Sequence, residues 1–370
     1  MSGRPTGLRT ERRHPPEDSA MNNRTLILAA ALCISASTEA NVFCVGDSAA
    51  LTQALSTAGS NAWGDAIRVR QGTFVAPVGG WVFGPGASDQ EKALSISGGW
   101  DAGCGLQSLD SSLTRLSGGG TRRILAISRG TGNSAELEIS GLSFINAVSS
   151  VDDYTNNLGL AFRVYSGSHS GPLRIENVIV RDNTSFYGVE AVHLLSSGPM
   201  YFRNNLVVDN ESGVGGMGVR FSGSGTAYIS NNTIVNNTTL SSPSVGMGLS
   251  VSGGGLRHVT NNIIWGNAAL AGSCDVASDA MVLMIDNNIG SICGVNSAGS
   301  IGNNSVDPMF VSATDYRLKP DSLLHNLGDN TPFGGLAPYD LIGNARILDG
   351  VTDLGAYESQ MSAIFKDSFE

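Results

Sequence analysis

The chain has 370 residues, and its 22 Lys and Arg against 32 Asp and Glu give a formal net charge of -10. This balance argues against nucleic acid or an anionic membrane surface as the main partner. Charged residues make up only 15% of the chain, and there are 48 glycines. Such a composition is typical of a β-rich exported protein with many turns, and it contains too much Ile, Val and Leu for a disordered chain.

The first 40 residues read as a targeting segment. Residues 1–20 are polar and basic, and we interpret them as an upstream extension outside the native fold. Residues 21–40 have the pattern of a secretory signal peptide, with Arg24 as the positive charge, an apolar stretch over 25–36 and a small-x-small cleavage site at 38–40. The apolar stretch is too short to span a bilayer. Release to the periplasm or the medium is expected, and a tethered anchor is the alternative.

Four cysteines remain after the signal peptide. An even number in an exported chain favours disulfides. Three pairings are open, and two pairs of buried free thiols are the alternative. We favour the pairing within each end of the chain, Cys44 with Cys104 and Cys274 with Cys293.

Residues 41–120 are predicted to form an N-terminal cap and the first coils. Asp47 and Ser48 precede the segment AALTQALSTAG, which places its Leu residues and two alanines on one helical face and ends at Gly59. This pattern predicts a short amphipathic cap helix. The strand-like segments AIRVRQGTF, ALSISGGW and TRLSGG follow as looser repeats.

Residues 121–300 carry an internal repeat. The stretch ISNNTIVNN at 229–237 has the related copies IENVIVRDN, FRNNLVVDN and VTNNIIWGN, and the period varies between 26 and 36 residues. A period of this size indicates a solenoid. The segments AFRVY, AVHLL and GVRFS precede these copies with nearly the same steps and alternate apolar with polar residues. Two independent sets of segments therefore predict the same register of short strands.

The predicted fold is all-β, a right-handed parallel β-helix with about three short strands in each coil. Asn tolerates the left-handed backbone of a tight corner. Its amide also forms hydrogen bonds with the next Asn in a stack, which satisfies buried polar groups. The predicted ladder of corner asparagines consists of Asn177, Asn204, Asn231, Asn261 and Asn287.

Residues 301–360 contain the motifs DPMF at 307–310, DYRL at 315–318 and DLGAYE at 353–358. This region resembles the C-terminal part of choice-of-anchor Q proteins, which implies an exported bacterial protein with a pectin-lyase-like β-helix and an irregular C-terminal cap region. The resemblance implies no chemistry, and HNLG at 325–328 departs from the family pattern. Residues 361–370 form a tail similar to one found on exported proteins of some gammaproteobacteria.

One column of side chains predicts chemistry, although the short motifs of pectin-lyase-like hydrolases and lyases are missing and a fold alone decides no function. The outward position of the upstream segments reads Arg163, His193 and Arg220 in successive coils. Such a face suits a linear polysaccharide, because Arg pairs a uronate carboxylate. His193 or Tyr187 is then the candidate base or acid.

Loops near this column bring further candidate ligand-binding residues, namely Asp152, Asp153 and Glu211. The alternative is a solvated strand face on which the Arg residues pair with acidic loop residues. Asp182 and Asp209 lie one coil apart in the same register. They are candidate ligands for a cation such as Ca²⁺, with screened surface carboxylates as the alternative. No cofactor is expected to be required.

The sequence therefore predicts a secreted, monomeric β-helix protein with a non-catalytic glycan-binding or scaffold role at the surface or outside the cell. Its expected partner is a polysaccharide or a cell-surface glycan, with no nucleic acid and no membrane span in the mature chain. The alternative is an enzyme that acts on an acidic polysaccharide in a groove on the strand face, as a lyase rather than a glycoside hydrolase.

Overall fold

The computed structural model describes residues 41–359, apart from 62, 85–91, 131, 150–159, 167, 187–189, 214–217, 240–247, 270–271 and 295–298. These residues form a mainly β structure with one α-helix and one short 3-10 helix, Ser111–Leu113. The predicted extension, signal peptide and tail lie outside the described residues. Within the described ranges we find no helix with the length and apolar character that a bilayer span requires.

The predicted N-terminal helix is present as α1, Ser48–Ser60. Asp47 caps it, because the Asp47 side chain accepts a hydrogen bond of 2.8 Å from the backbone N–H of Ala50. Its buried face is formed by Leu51, Ala54, Leu55, Ala58 and Gly59. The helix continues one residue past Gly59, where the sequence predicted its end, and packs against the first strands.

Sheet 1 is the largest sheet and all its strand pairs are parallel. Its main path contains β1 (Asn41–Val45), β2 (Asp65–Arg70), β5 (Leu94–Trp100), β8 (Leu137–Ile145), β10 (Leu173–Arg181), β13 (Met200–Arg203), β17 (Ala227–Ser230), β21 (Arg257–Thr260) and β26 (Val282–Ile285). The strands beside this path are β3 (Gly72–Val75), β6 (Thr114–Ser117), β14 (Leu206–Val208), β18 (Thr233–Val235), β22 (Ile263–Trp265) and β27 (Asn288–Ile289).

Two further sheets are built from the same repeats. Sheet 2 is parallel and contains β4 (Trp81–Phe83), β7 (Leu125–Ser128), β9 (Phe162–Ser166), β12 (Val192–Ser196), β16 (Val219–Ser222), β20 (Leu249–Val251), β25 (Val276–Ser278) and β28 (Ile292–Cys293). Sheet 3 contains β11 (Thr184–Ser185), β15 (Glu211–Ser212), β19 (Thr238–Thr239), β23 (Ala268–Ala269) and the antiparallel β24 (Gly272–Ser273). A separate antiparallel pair is formed by β29 (Phe310–Ser312) and β30 (Asp315–Leu318).

Successive repeats pair side by side in each sheet. For example, β13 pairs with β17, β14 with β18, and β12 with β16, always in parallel. Inward side chains such as Phe202, Ile229 and Val192 are fully buried in one apolar core. Parallel sheets in which corresponding strands of successive repeats lie side by side are the arrangement expected of a parallel β-helix.

The repeats turn through two-residue corners. The first corner lies within β10 and, in the following repeats, separates the main path of sheet 1 from its side strands, as between β13 and β14. Its first residue has a positive φ, at 53° in Asn177, 54° in Asn204 and 61° in Asn261. This left-handed conformation is the one that Asn and Asp tolerate. Thr260 lies opposite Ile285, so Asp286 with φ of 51° continues this column. The assignment of Asn287 to the column is therefore corrected by one residue.

The predicted column is partly hydrogen-bonded, since Asn204 donates to Asn177 and Asn261 to Asn231, each at 3.4 Å. A continuous, shorter ladder is formed by the second residue of each corner, and it includes the predicted Asn287. Asn232 Nδ2 donates to Asn262 Oδ1 at 2.9 Å, and Asn262 donates in the same way to Asn287 at 2.9 Å. A second ladder at the next corner joins Asn183, Asn210, Asn237 and Asn267 at 2.8 Å per step. These amides are buried and mutually bonded, which removes the cost of burying them unpaired.

The C-terminal region, residues 306–359, packs along the side of the repeats. Apolar residues on the outer face of β14, β18 and β22, such as Leu206, Val235 and Ile263, form a second core with Leu324 and Leu354. These strands are apolar at every position except Thr233 in β18, because both of their faces are buried. Within the described residues, the predicted cap region therefore covers a flank of the sheets.

Both favoured disulfides are present. Cys44 in β1 bonds with Cys104, with their Cα atoms 5.7 Å apart, and Cys274 bonds with Cys293 at a Cα separation of 5.8 Å. The first closes a sequence separation of 60 residues and the second a separation of 19. Disulfides of this kind persist in oxidising compartments.

Candidate functional site

The predicted column on sheet 2 is assembled as adjacent residues. His193 lies directly opposite Arg163 on one neighbouring strand and Arg220 on the other. His193 is only 4% exposed, and its Nε2 lies 2.8 Å from the Ser222 hydroxyl. Burial, together with the charges of Arg220 and Arg163, lowers the pKa of His193 to about 4. The imidazole is therefore neutral at pH 7, and it is a weak proton acceptor.

An acidic residue that the sequence analysis did not identify completes this column. Arg220 forms an ion pair of 3.2 Å with Glu190. Glu190 is almost fully buried, and burial raises the pKa of its carboxyl despite the nearby Arg220. Glu190 lies two residues before β12. The sequence contains no signal for it, because it is a single carboxylate without an acidic counterpart in the neighbouring repeats. The Arg220 guanidinium is thus already paired within the protein.

Of the other residues predicted for this site, the described part of the chain includes Glu211, which does not lie beside His193. Glu211 lies in β15 on sheet 3, where it is exposed and paired in register with Thr184 and Thr238. It therefore belongs to a different sheet from His193. The candidates Tyr187, Asp152 and Asp153 lie outside the described residues.

Asp182 and Asp209 occupy the first position of the second corner, with φ of 56° and 54°. Arg181 donates to Asp182 at 2.8 Å and lies 3.8 Å from Asp209. The Tyr316 hydroxyl donates to both Asp209 oxygens at 2.8 Å. Among the described residues, no group of three or more His, Cys, Asp or Glu side chains is placed to hold a metal ion. A corner role with protein partners accounts for both carboxylates.

The outer face of sheet 1 carries a second column, which sequence reasoning missed. Glu138, Arg174, Tyr201, Tyr228 and His258 lie opposite one another on consecutive strands. Tyr201 and Tyr228 stack with ring centroids 5.0 Å apart, and Tyr228 and His258 stack at 5.3 Å. The Arg174 guanidinium lies 4.2 Å from the Tyr201 centroid. The sequence did contain a signal for this column, because its Arg, Tyr and His residues each directly precede one of the repeated Asn-rich motifs.

Carboxylates lie beside the Arg end of this column. Glu176 forms an ion pair with Arg203, whose Nε donates at 3.0 Å, and it lies 3.8 Å from Arg174. Arg174 also pairs with Glu136. Burial raises the pKa of Glu138, and the negative charges of Glu176 and Glu136 raise it further. The two guanidinium groups are therefore occupied, while Glu138 has no cationic hydrogen-bond partner among the described residues.

The C-terminal region covers the aromatic end of the column. The Phe333 ring lies 4.3 Å from His258, and Arg203 donates to the carbonyls of Gly334 and Gly335 at 2.9 and 3.1 Å. Gly334 has φ of +88°, and a Cβ there would lie 2.6 Å from the Cβ of Tyr228. Glycine permits this close approach of backbone to ring.

A cavity of about 200 Å³ opens where the uncovered part of the column meets the C-terminal region. Its floor includes Glu138, Ser140 and Glu176, and its rim includes Leu109 and Tyr339. Tyr339 is 46% exposed. The cavity combines carboxylates and a hydroxyl with apolar surface, which is the mixture found in binding sites for small polar ligands.

A larger cavity, of about 360 Å³, lies within the C-terminal region between β30 and residues 342–359. It contains Glu358, which accepts a hydrogen bond from the backbone N–H of Asp353 at 3.1 Å and lies 3.5 Å from the buried Arg346. Burial raises the pKa of Glu358 to about 7. These groups bond chiefly with one another, so the network organises the region itself.

Comparisons with known proteins supply no further assignment. The chain matches no family model, no curated protein and no solved structure.

Proposed function

We propose that this chain is a secreted, right-handed parallel β-helix protein that binds a glycan without cleaving it. The parallel sheets, the two disulfides and the sequence resemblance to choice-of-anchor Q proteins support this proposal. The export signal at residues 21–40 and the monomeric state are part of the proposal. Binding is expected with or without Ca²⁺, because no cofactor takes part in it.

The observation that carries the proposal is the cavity between sheet 1 and the C-terminal region. Sugar rings offer hydroxyl groups together with apolar C–H faces. The carboxylates of Glu138 and Glu176 are suitable acceptors for the hydroxyls, and the exposed ring of Tyr339 is a suitable contact for an apolar face. Glycan binding uses each of these groups in one site.

The charges around the cavity favour a neutral glycan. Three carboxylates, Glu136, Glu138 and Glu176, face two guanidinium groups, those of Arg174 and Arg203, so one formal negative charge is left over. Because both guanidinium groups are already paired, a uronate would have to displace a protein carboxylate. Anionic polymers are therefore disfavoured at this site.

The test is a binding panel with mature protein from Asn41 onward. Laminarin, mannan, xylan and amylose serve as neutral polymers, and alginate, pectate and hyaluronan as anionic ones. Glu138→Gln should weaken the tightest interaction by about tenfold, which corresponds to 1.4 kcal/mol, because it removes the charge and replaces one acceptor oxygen of the cavity floor by an NH2 donor. Glu211→Gln is the matched control, since Glu211 is exposed on sheet 3 and does not line the cavity.

Two results would contradict the proposal. The first is the absence of binding across the panel, or equal affinity in the Glu138 and Glu211 variants. The second is turnover, seen as new reducing ends or as ultraviolet absorbance of unsaturated products. Turnover abolished by His193→Ala with the fold intact would instead favour an enzyme that uses the sheet 2 column.

A further inference from the structure

The cavity beside sheet 1 is short along the direction in which the strands stack. Its floor is formed by β8, through Glu138 and Ser140, and by β10, through Glu176 and Asn177. Neighbouring strands lie about 4.8 Å apart, so the floor is about two strands long. Its volume of about 200 Å³ is below the range of roughly 300–1,000 Å³ typical of pockets for drug-sized ligands.

The first end of the cavity is closed by the segment after β5. Gln107 Nε2 donates to the Gly98 carbonyl at 2.9 Å, and the backbone of Gln107 bridges to Trp100. The disulfide at Cys104 joins the same segment to β1. Gln107 and Leu109 line the cavity at this end, so the wall belongs to a cross-linked part of the fold.

The opposite end is closed by residues 337–339 of the C-terminal region. Asn204 Nδ2 donates to the Tyr339 carbonyl at 2.6 Å, and Asn177 Nδ2 donates to the Asp340 carbonyl at 2.8 Å. Arg203 anchors Gly334 and Gly335 farther along the same segment. The corner residues Asn177 and Asn204 thus fix this wall in place beside the next strand, β13.

A third side is closed at the corner of the sheet. The Ser111 hydroxyl lies 2.5 Å from the Asn177 carbonyl and 3.3 Å from the Leu341 carbonyl, so the short 3-10 helix and the C-terminal region meet there. A polymer that ran along the stacking direction would collide with Leu109 at one end and with Tyr339 at the other. The described residues leave an approach from the open face of sheet 1.

We propose that the cavity recognises the end of a glycan chain and excludes internal segments. This inference rests on the proposed glycan binding at the same site. A terminal sugar enters the cavity, where the Glu138 and Glu176 carboxylates accept its hydroxyls, and the following units lie over the open face of the sheet. The walls formed by Leu109 and Tyr339 set this specificity by exclusion.

The test uses short, intermediate and long fractions of the panel polymer that binds most tightly. If chain ends are recognised, Kd per mole of chains is the same for all fractions, because each chain presents one end of the required kind. If internal segments are recognised, Kd per mole of chains falls in proportion to chain length, and that result overturns the inference while leaving glycan binding intact. An absence of binding to every fraction overturns the proposed function and this inference together.

Tyr339→Gly provides the second arm, because it removes the ring from the wall while the backbone carbonyl still accepts from Asn204. The inference predicts that Kd per mole of chains then becomes dependent on length. Tyr165→Ala is the control for loss of an exposed ring, since Tyr165 is 52% exposed and lies in β9 on sheet 2. A Tyr339 variant that keeps equal affinity for all fractions counts against the exclusion by this wall.

Discussion

Replacing Asn232 by Ala tests the buried amide ladder at its centre. Asn232 Oδ1 accepts hydrogen bonds from the backbone N–H and the Nδ2 of Asn205, at 2.9 and 3.0 Å. Its own Nδ2 donates to the Phe202 carbonyl at 2.8 Å and to Asn262 Oδ1 at 2.9 Å. The substitution therefore deletes four hydrogen bonds from a site that water does not reach, since Asn232 is fully buried.

Some of the groups left behind have second partners. Asn205 Nδ2 still donates to the Ile175 carbonyl, and Asn262 Oδ1 still accepts from the backbone N–H of Asn232. The backbone N–H of Asn205 loses the acceptor that the ladder provides. A buried donor without an acceptor costs about 1–3 kcal/mol, and each lost hydrogen bond about 1 kcal/mol. We expect the free energy of unfolding to fall by about 3 kcal/mol.

The matched control is Asn303→Ala at the exposed end of the same ladder. Asn303 Oδ1 accepts from Asn287 Nδ2 at 2.8 Å, but Asn303 is exposed and water replaces the lost bonds, so the expected loss is about 1 kcal/mol. Guanidinium unfolding at constant m-value measures both variants, and hydrogen exchange at the Asn205 amide reports local opening. Equal losses in the two variants, or protection of Asn205 unchanged in Asn232→Ala, would refute the reasoning.

Three other predictions concern pH, corners and disulfides. The pKa of His193 is about 4 in the folded chain against 6.5 in the unfolded chain, so stability is lost as pH falls from 6.5 towards 4. The pKa of Glu358 is about 7 against 4.5, so stability is lost as pH rises from 4.5 through 7. Relative to the unsubstituted chain, His193→Gln should therefore remove a loss of stability between pH 6.5 and 4, and Glu358→Gln a loss between pH 4.5 and 7, each of at most about 3 kcal/mol. Profiles parallel to that of the unsubstituted chain would contradict this. Asn204→Ala should be less stable than Asn204→Gly by about 1–2 kcal/mol, because φ is 54° at this residue, and equal stability would refute the corner role. Both variants should speed limited proteolysis of the C-terminal region, because both lose the hydrogen bond to the Tyr339 carbonyl. Replacing both cysteines of Cys44–Cys104, with its separation of 60 residues, should lower the free energy of unfolding by about 4 kcal/mol, against about 3 kcal/mol for Cys274–Cys293, with its separation of 19. Thermal or guanidinium unfolding measures both losses, and the reverse order would contradict this prediction.

Local patterns predicted much of the fold because they are repeated. The positions of α1 and of the strands follow from apolar spacing, which the sequence displays directly. The predicted column has the left-handed backbone and two amide bonds of its own, but the continuous ladder lies one residue later. Asn204 and Asn205 are adjacent, and only strand register distinguishes their roles. Asn287 shows the same difficulty, since its repeat differs in length by one residue from the predicted step.

The candidate site was harder to predict, because it depends on contacts between distant parts of the chain. The column at His193 was visible as an outward position, but its burial and the approach of Glu190 were not. The cavity at Glu138 requires Tyr339, which lies in a segment without repeat spacing. The only local sign that residues 306–359 cover one side of the sheets is that β14, β18 and β22 do not alternate apolar with polar residues.

The buried amide ladder has a consequence for how such a chain changes in length. Each rung uses the same donor and acceptor atoms towards its two neighbours, as between Asn205, Asn232 and Asn262. Duplicating or deleting one whole unit, such as the 27 residues from Asn205 to the next rung, recreates an equivalent junction. A frame of this kind can be lengthened or shortened by recombination between units, whereas a single-residue insertion at a corner would break both adjoining rungs.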